Sequence, residues 1–214
     1  MEIVSTGNET ITEFVLLGFY DIPELHFLFF IVFTAVYVFI IIGNMLIIVA
    51  VVSSQRLHKP MYIFLANLSF LDILYTSAVM PKMLEGFLQE ATISVAGCLL
   101  QFFIFGSLAT AECLLLAVMA YDRYLAICYP LHYPLLMGPR RYMGLVVTTW
   151  LSGFVVDGLV VALVAQLRFC GPNHIDQFYC DFMLFVGLAC SDPRVAQVTT
   201  LILSVFCLTI PFGL

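Results

Sequence analysis

Five long apolar stretches alternate with short polar ones along the 214-residue chain. The first, residues 25–52, reads LHFLFFIVFTAVYVFIIIGNMLIIVAVV, and the polar turn SSQRLHKP closes it at Pro60. The second, 61–80, contains one acid, Asp72, and is stopped by Pro81. A polar segment over 82–97 leads to the third, 98–120, which ends just before Asp122 and Arg123. The loop ICYPLHYPLLMGPRR precedes the fourth, 142–167. The fifth begins near Val195 and runs to Leu214. A membrane-spanning helix needs roughly 20 apolar residues at ~1.5 Å rise. The pattern therefore predicts helices at about 25–53, 60–81, 97–125, 142–167 and 195–214, with a polar outer loop at 168–194. The expected fold class is all-α, a polytopic membrane helix bundle. No repeat, low-complexity tract or soluble domain interrupts the pattern.

Composition agrees. Only 10% of residues are charged, against about 25% in soluble domains, and the mean hydropathy is +1.08. The surroundings are membrane lipid. A net charge of −6 lacks the basic excess that nucleic acid requires. Residues 1–24 contain no Lys or Arg, hence no basic leader region, and the first apolar run is too long for a cleaved signal. It reads as an uncleaved signal anchor.

Basic residues set the orientation. Arg56, Lys59, Arg140 and Arg141 lie in alternate loops, with Arg123 at their edge, whereas the opposite loops are rich in Asp and Glu. The basic loops face the cytoplasm and residues 1–24 face outward. Asn8 opens a glycosylation sequon on that outer side. Cys98, Cys170, Cys180 and Cys190 also fall outside, where disulfides persist. Four cysteines admit three pairings, and the pattern does not choose among them.

Counting along the helices places Asp72 at ~18 Å, Glu112 at ~16 Å and Asn44 at ~13 Å from the inner face. Intramembrane carboxylates are costly, so this shared depth is a functional signal. Two carboxylates and an amide facing one interior suit a small cation. The competing reading is hydrogen-bonded glue between helices. Asp157 lies mid-helix without an evident partner, and reads as protonated or bonded to a neighbouring helix rather than as a cavity residue. Arg123 is either an interfacial base paired locally with Asp122 or half of a switch.

The residues MAYDRYLAICYPLHYP at 119–134 resemble the inner end of the third helix of olfactory receptors, a branch of the rhodopsin-like G-protein-coupled receptors. Gly43-Asn44, LHKPMYIFLANLSFLD at 57–72, PKML at 81–84, AECLLLAVMAYDRY at 111–124 and CDFMLFVGLACSD at 180–192 carry the same resemblance in order. It extends from about Thr12 to Leu214. Lys59 stands where the family more often has Thr, and Leu184 where Pro is common. The sequence reaches Leu214 within the fifth expected helix, so the family's sixth and seventh helices lie outside it.

The resemblance implies a seven-helix receptor at the plasma membrane, spanning it several times, with residues 25–214 as part of its receptor domain. It implies disulfides Cys98–Cys180 and Cys170–Cys190. It implies G-protein coupling through Asp122, Arg123 and Tyr124, and an acidic pair, Asp72 and Glu112, that would hold a sodium ion beside Asn44. It places a small apolar odorant against Phe102, Phe105, Gly106, Ala109 and Thr110. Their spacing of three to four residues shares a helix face, which also fits ordinary helix packing. The partners implied are the odorant and, for a completed chain, a heterotrimeric G protein.

The function expected is odorant sensing by a G-protein-coupled receptor. The alternatives are a truncated non-signalling product or pseudogene fragment, and a small channel or transporter. A transporter would want further lining charges or paired discontinuous helices. An enzyme is not expected: no nucleophile–base pair appears, and His26, His58, His132 and His174 are scattered over both faces. Expressed as residues 1–214 alone, the chain is expected to fold poorly and not to activate a G protein.

Overall fold

A computed structural model describes residues 13–16, 23–89, 91–170, 174–175 and 177–213. Asn8 lies outside them. The described chain is nearly all helical. Its elements are β1 (Glu13–Leu16), α1 (Pro23–Ser53), a short 3-10 turn (Gln55–Leu57), α2 (Pro60–Leu88), β2 (Ala91–Ser94), α3 (Val95–Cys128), α4 (Tyr133–Leu136), α5 (Pro139–Val164), β3 (His174–Ile175), α6 (Phe182–Leu188) and α7 (Arg194–Gly213). Among the described residues, α1, α2, α3 and α5 are each long and apolar enough to cross a membrane, and α7 contributes a shorter apolar stretch, Arg194–Cys207.

Local sequence explains most helix ends. Lys59 is extended, as the residue before a proline must be, and Pro60 starts α2 where its missing N–H costs nothing. Ser94 caps α3, its hydroxyl accepting from the Gly97 N–H at 3.0 Å. Pro139 opens α5 in the same way as Pro60 opens α2. Asp181 caps α6 by accepting from the Leu184 N–H at 2.8 Å.

One expected boundary is corrected. Pro81 does not stop the second helix, which runs on to Leu88. Proline removes one helical hydrogen bond, and within a membrane bundle neighbouring groups can take up the freed carbonyls. Gln101 Nε2, from α3, donates to the Ala78 carbonyl at 2.9 Å, one residue beyond the Ser77 carbonyl that Pro81 leaves without its helical donor, and so braces this turn. The next turn is then held by packing: Phe87 lies against Phe29 and Phe33 of α1. What the sequence pattern marks as a polar segment over 82–97 is thus the outer turns of α2, strand β2 and the start of α3.

The strands were not anticipated. They form one sheet in the order β2-β1-β3. Strand β1 pairs antiparallel with β2, Glu13 opposite Ser94 through Leu16 opposite Ala91, and parallel with β3, Val15 opposite His174. Alternation along β1 turns Phe14 and Leu16 inward. They join Cys98, Phe102, Val164, Cys180 and Phe185 in the outer core. A second core, of Phe64, Leu71, Leu108, Leu115 and Val146, fills the inner half between α2, α3 and α5. The remaining apolar surface faces outward, most plainly on α1, where Phe39 is 79% exposed. That surface would be a liability in water and is ordinary against lipid.

A close helix approach joins α3 and α5. Gly153 is buried against the Ser107 backbone, and a Cβ there would overlap the Ser107 carbonyl oxygen and press on Ala111. Small residues allow such approaches, which supply the van der Waals attraction that lipid cannot oppose. Gly153→Val is expected to cost about 1–3 kcal/mol through overpacking, read as a lower Tm for the detergent-solubilised receptor that carries this chain. Gly144→Ala, where nothing lies within 4 Å of the new methyl, should leave Tm unchanged. Equal Tm values for the two variants would contradict this packing.

Candidate functional site

The outer halves of α3, α5 and α7, with α6 above them, border an open cavity of about 390 Å³. Phe102, Phe105, Gly106, Ala109 and Thr110 all line it from α3. Their common face follows from helical spacing; what the spacing cannot give is the opposite wall. That wall carries Asp157 from α5, Phe182 from α6, and Thr200 and Ser204 from α7. Tyr179, in the loop before α6, adds a ring that meets Phe105 at 5.3 Å between centroids. Phe105 also stacks on Tyr75 of α2 at 4.5 Å. Phe102 packs on Phe185 at 5.6 Å and Phe182 at 6.5 Å.

Two disulfides frame the roof. Cys98, on the first turn of α3, is joined to Cys180, with Cα atoms 5.4 Å apart. Cys170 is joined to Cys190, with Cα atoms 5.9 Å apart. Gln101 strengthens the first connection. Its Oε1 accepts from the Cys180 N–H at 3.1 Å while its Nε2 holds α2. One amide therefore ties two helices to the outer loop.

Asp157 meets the expectation of a bond to a neighbouring helix and departs from it in also being a cavity residue. It has a partner at matching depth: the Thr110 hydroxyl donates to Asp157 Oδ2 at 2.8 Å. It also lines the cavity. Gly106, one turn from Thr110, makes this geometry possible, because a Cβ on Gly106 would occupy the place of Asp157 Oδ1. A signal for this pairing is present in the sequence as Gly106 and Thr110 four residues apart on α3. It could not be read without knowing which face of α5 meets them.

Deeper in the bundle, Asn44, Asp72 and Glu112 come together from α1, α2 and α3. Asn44 and Glu112 each lie close enough to Asp72 to act on its carboxylate electrostatically. Asn44 Nδ2 also donates to the Ile40 carbonyl at 3.1 Å. The amide oxygen remains as an acceptor beside two carboxylates.

At the inner end of α3, Asp122 and Arg123 part company. Asp122 is 1% exposed and accepts from the Tyr133 hydroxyl of α4 at 2.8 Å. Burial, and then the Asp122 carboxylate, push the Tyr133 phenol up to about 12, so it stays a donor at physiological pH. Arg123 turns to the exposed side and meets the Met61 sulfur of α2. Among the described residues the ion pairs are Lys82–Glu85 and Arg194–Asp192, so the local Asp122–Arg123 pairing does not form here. Tyr124 is half exposed, its ring edge-on to Tyr129 at 6.0 Å.

Comparison with known proteins gives one consistent result. The model of the 7 transmembrane receptor (rhodopsin family) matches residues 43–214. Olfactory receptor 6A2 of Homo sapiens is 44% identical over 208 residues, covering 95% of this chain and 64% of that protein. Olfactory receptor 226 of Rattus norvegicus is 43% identical over 208 residues, with the same shares. Olfactory receptor 4E2 of Homo sapiens is 49% identical over 189 residues, 88% of this chain and 60% of that protein. The chain thus spans less than two thirds of the length of these relatives. The ordered helices, the outer disulfide and the extent of the family match lead to one conclusion: the chain belongs to the rhodopsin family of seven-transmembrane receptors, multi-pass proteins of the membrane.

Proposed function

We propose that this chain forms the ligand-binding and G-protein-facing part of an odorant-sensing receptor. The observation that carries the reading is the outer cavity: Phe102, Phe105, Gly106, Ala109 and Thr110 all border one space of about 390 Å³. That volume suits a small molecule, and rings with a few convergent polar groups suit a volatile one. The similarity to olfactory receptors supports the same ligand class. On the opposite face, Arg123 and Tyr124 form the surface for a heterotrimeric G protein, with Asp122 of the same triplet buried beneath them. Arg123 is exposed and outside any ion pair with Asp122, which suits a base that meets a partner. Asp122 is held by Tyr133, which fastens the inner loop to α3.

Asp72 and Glu112 would hold a sodium ion, with Asn44 beside them. The donor set fits: hard oxygen ligands from three helices at one depth, with no thiolate or imidazole needed. A bound sodium ion would supply positive charge between two carboxylates that otherwise repel.

Two outcomes test the proposal. In cells bearing the receptor that contains this chain, some members of a panel of small volatile compounds should raise the second messenger. Ala109→Phe, which fills the cavity, should weaken the most potent of them at least about tenfold with normal surface staining. Unchanged potency in Ala109→Phe would place the ligand elsewhere. For the ion, replacing potassium by sodium at constant ionic strength should raise Tm, since a ligand that binds only the folded state stabilises it. Asp72→Asn should abolish that difference; a sodium effect that persists in the variant would refute the site.

A further inference from the structure

The chemistry of the cavity wall narrows the ligand class. Asp157 is the point to consider. Its Oδ2 is occupied by the Thr110 hydroxyl at 2.8 Å. Its Oδ1 lies over Gly106, on the side where the α3 helix has no side chain. Among the described residues, no Lys, Arg or His lines the cavity. The second acid on the wall, Asp181, already spends Oδ1 on the Leu184 N–H of α6. Thr200 Oγ1, on the α7 side, is buried and has no hydrogen-bond partner among the described residues.

A carboxylate in such a place has one neutral donor and no countercharge from the protein. A hydrocarbon ligand would desolvate it and return no hydrogen bond. An anionic ligand would add a like charge. An alcohol would give one neutral hydrogen bond. A protonated amine gives a countercharge and more than one donor, and charge-assisted hydrogen bonds are about twice as strong as neutral ones. The aromatic walls favour the same choice, since Phe102, Phe105 and Tyr179 border the cavity and aromatic rings attract a nearby cation.

Resting on the odorant-receptor reading, we propose that the ligands of this cavity are small amines, bound as ammonium ions on Asp157 Oδ1 above Gly106. The amine's hydrocarbon part lies against Phe102, Phe105 and Phe182. Thr110 orients the carboxylate, and Thr200 offers a second polar contact to the ammonium group from α7.

The test uses benzylamine, benzyl alcohol, benzoic acid and toluene, four probes on one skeleton. Membranes carrying the receptor that contains this chain are treated with N-ethylmaleimide, and alkylation of Cys113, a cavity-lining thiol, is read by mass spectrometry. Benzylamine should protect Cys113 at concentrations at least about tenfold below those of the other three probes. Asp157→Asn, which keeps the shape and removes the charge, should erase that preference, and Asp157→Glu should retain part of it. Equal protection by the alcohol or toluene would overturn the proposal. So would a benzylamine preference that survives Asp157→Asn. Should Asp157→Asn fail to reach the membrane, the four probes on the unaltered receptor decide. Second-messenger responses to the same probes separate the two readings. Responses without amine preference would leave odorant sensing standing and overturn the amine site. Amine protection of Cys113 without any response would support the amine site and count against odorant sensing.

Discussion

The close approach of α3 and α5 is the constraint on which the rest of the structure depends. It is made by absences of side chain: Gly153 on α5 against the Ser107 backbone, and Gly106 on α3 against Asp157. In lipid, apolar side chains gain little by leaving their surroundings, so tight van der Waals packing has to hold helices together. Once the two backbones are this close, Asp157 has one direction to point, toward Thr110 and the cavity. The inner core of Leu108, Ala111, Leu115 and Val146 extends the same interface toward the cytoplasm. The cavity above and the Asp122–Tyr133 contact below are therefore positioned by one helix, α3, held against one neighbour.

The second constraint is that polar groups inside a bundle must find partners within it. Gln101 meets this by bonding α2 and the outer loop at once. Tyr37 and Ser77 meet it across α1 and α2 at 3.0 Å. These contacts give the bundle its register, because a helix rotated by one position would leave each of them unmatched. They also explain why polar residues are so few and so placed: each costs free energy unless its partner is present.

The helices were legible in the sequence because their signal is length and apolarity, which the bilayer imposes directly. The converging depths of Asn44, Asp72 and Glu112 were legible by counting, since rise per residue is constant. Other features were not legible, for physical reasons. Pro81 reads as a stop because its missing N–H breaks a helix in water, yet the side chain that braces this turn is Gln101, twenty-three positions from its partner Ala78. Strand β1 is four residues long and pairs with segments far along the chain, so its alternation is too short to stand out. Asp157 reads as solitary because its partner is forty-seven residues away. The stripe on α3 was legible as a face, whereas the cavity needed α5, α6 and α7 to exist.

Thr110 and Asp157 act as one unit across the α3–α5 interface. A double-mutant cycle on Tm measures that directly, with Thr110→Val, Asp157→Asn and the pair compared in the receptor that carries this chain. Groups in contact are expected to couple by about 0.5–3 kcal/mol, so the double variant should be less destabilised than the sum of the single ones. Strict additivity would contradict the account.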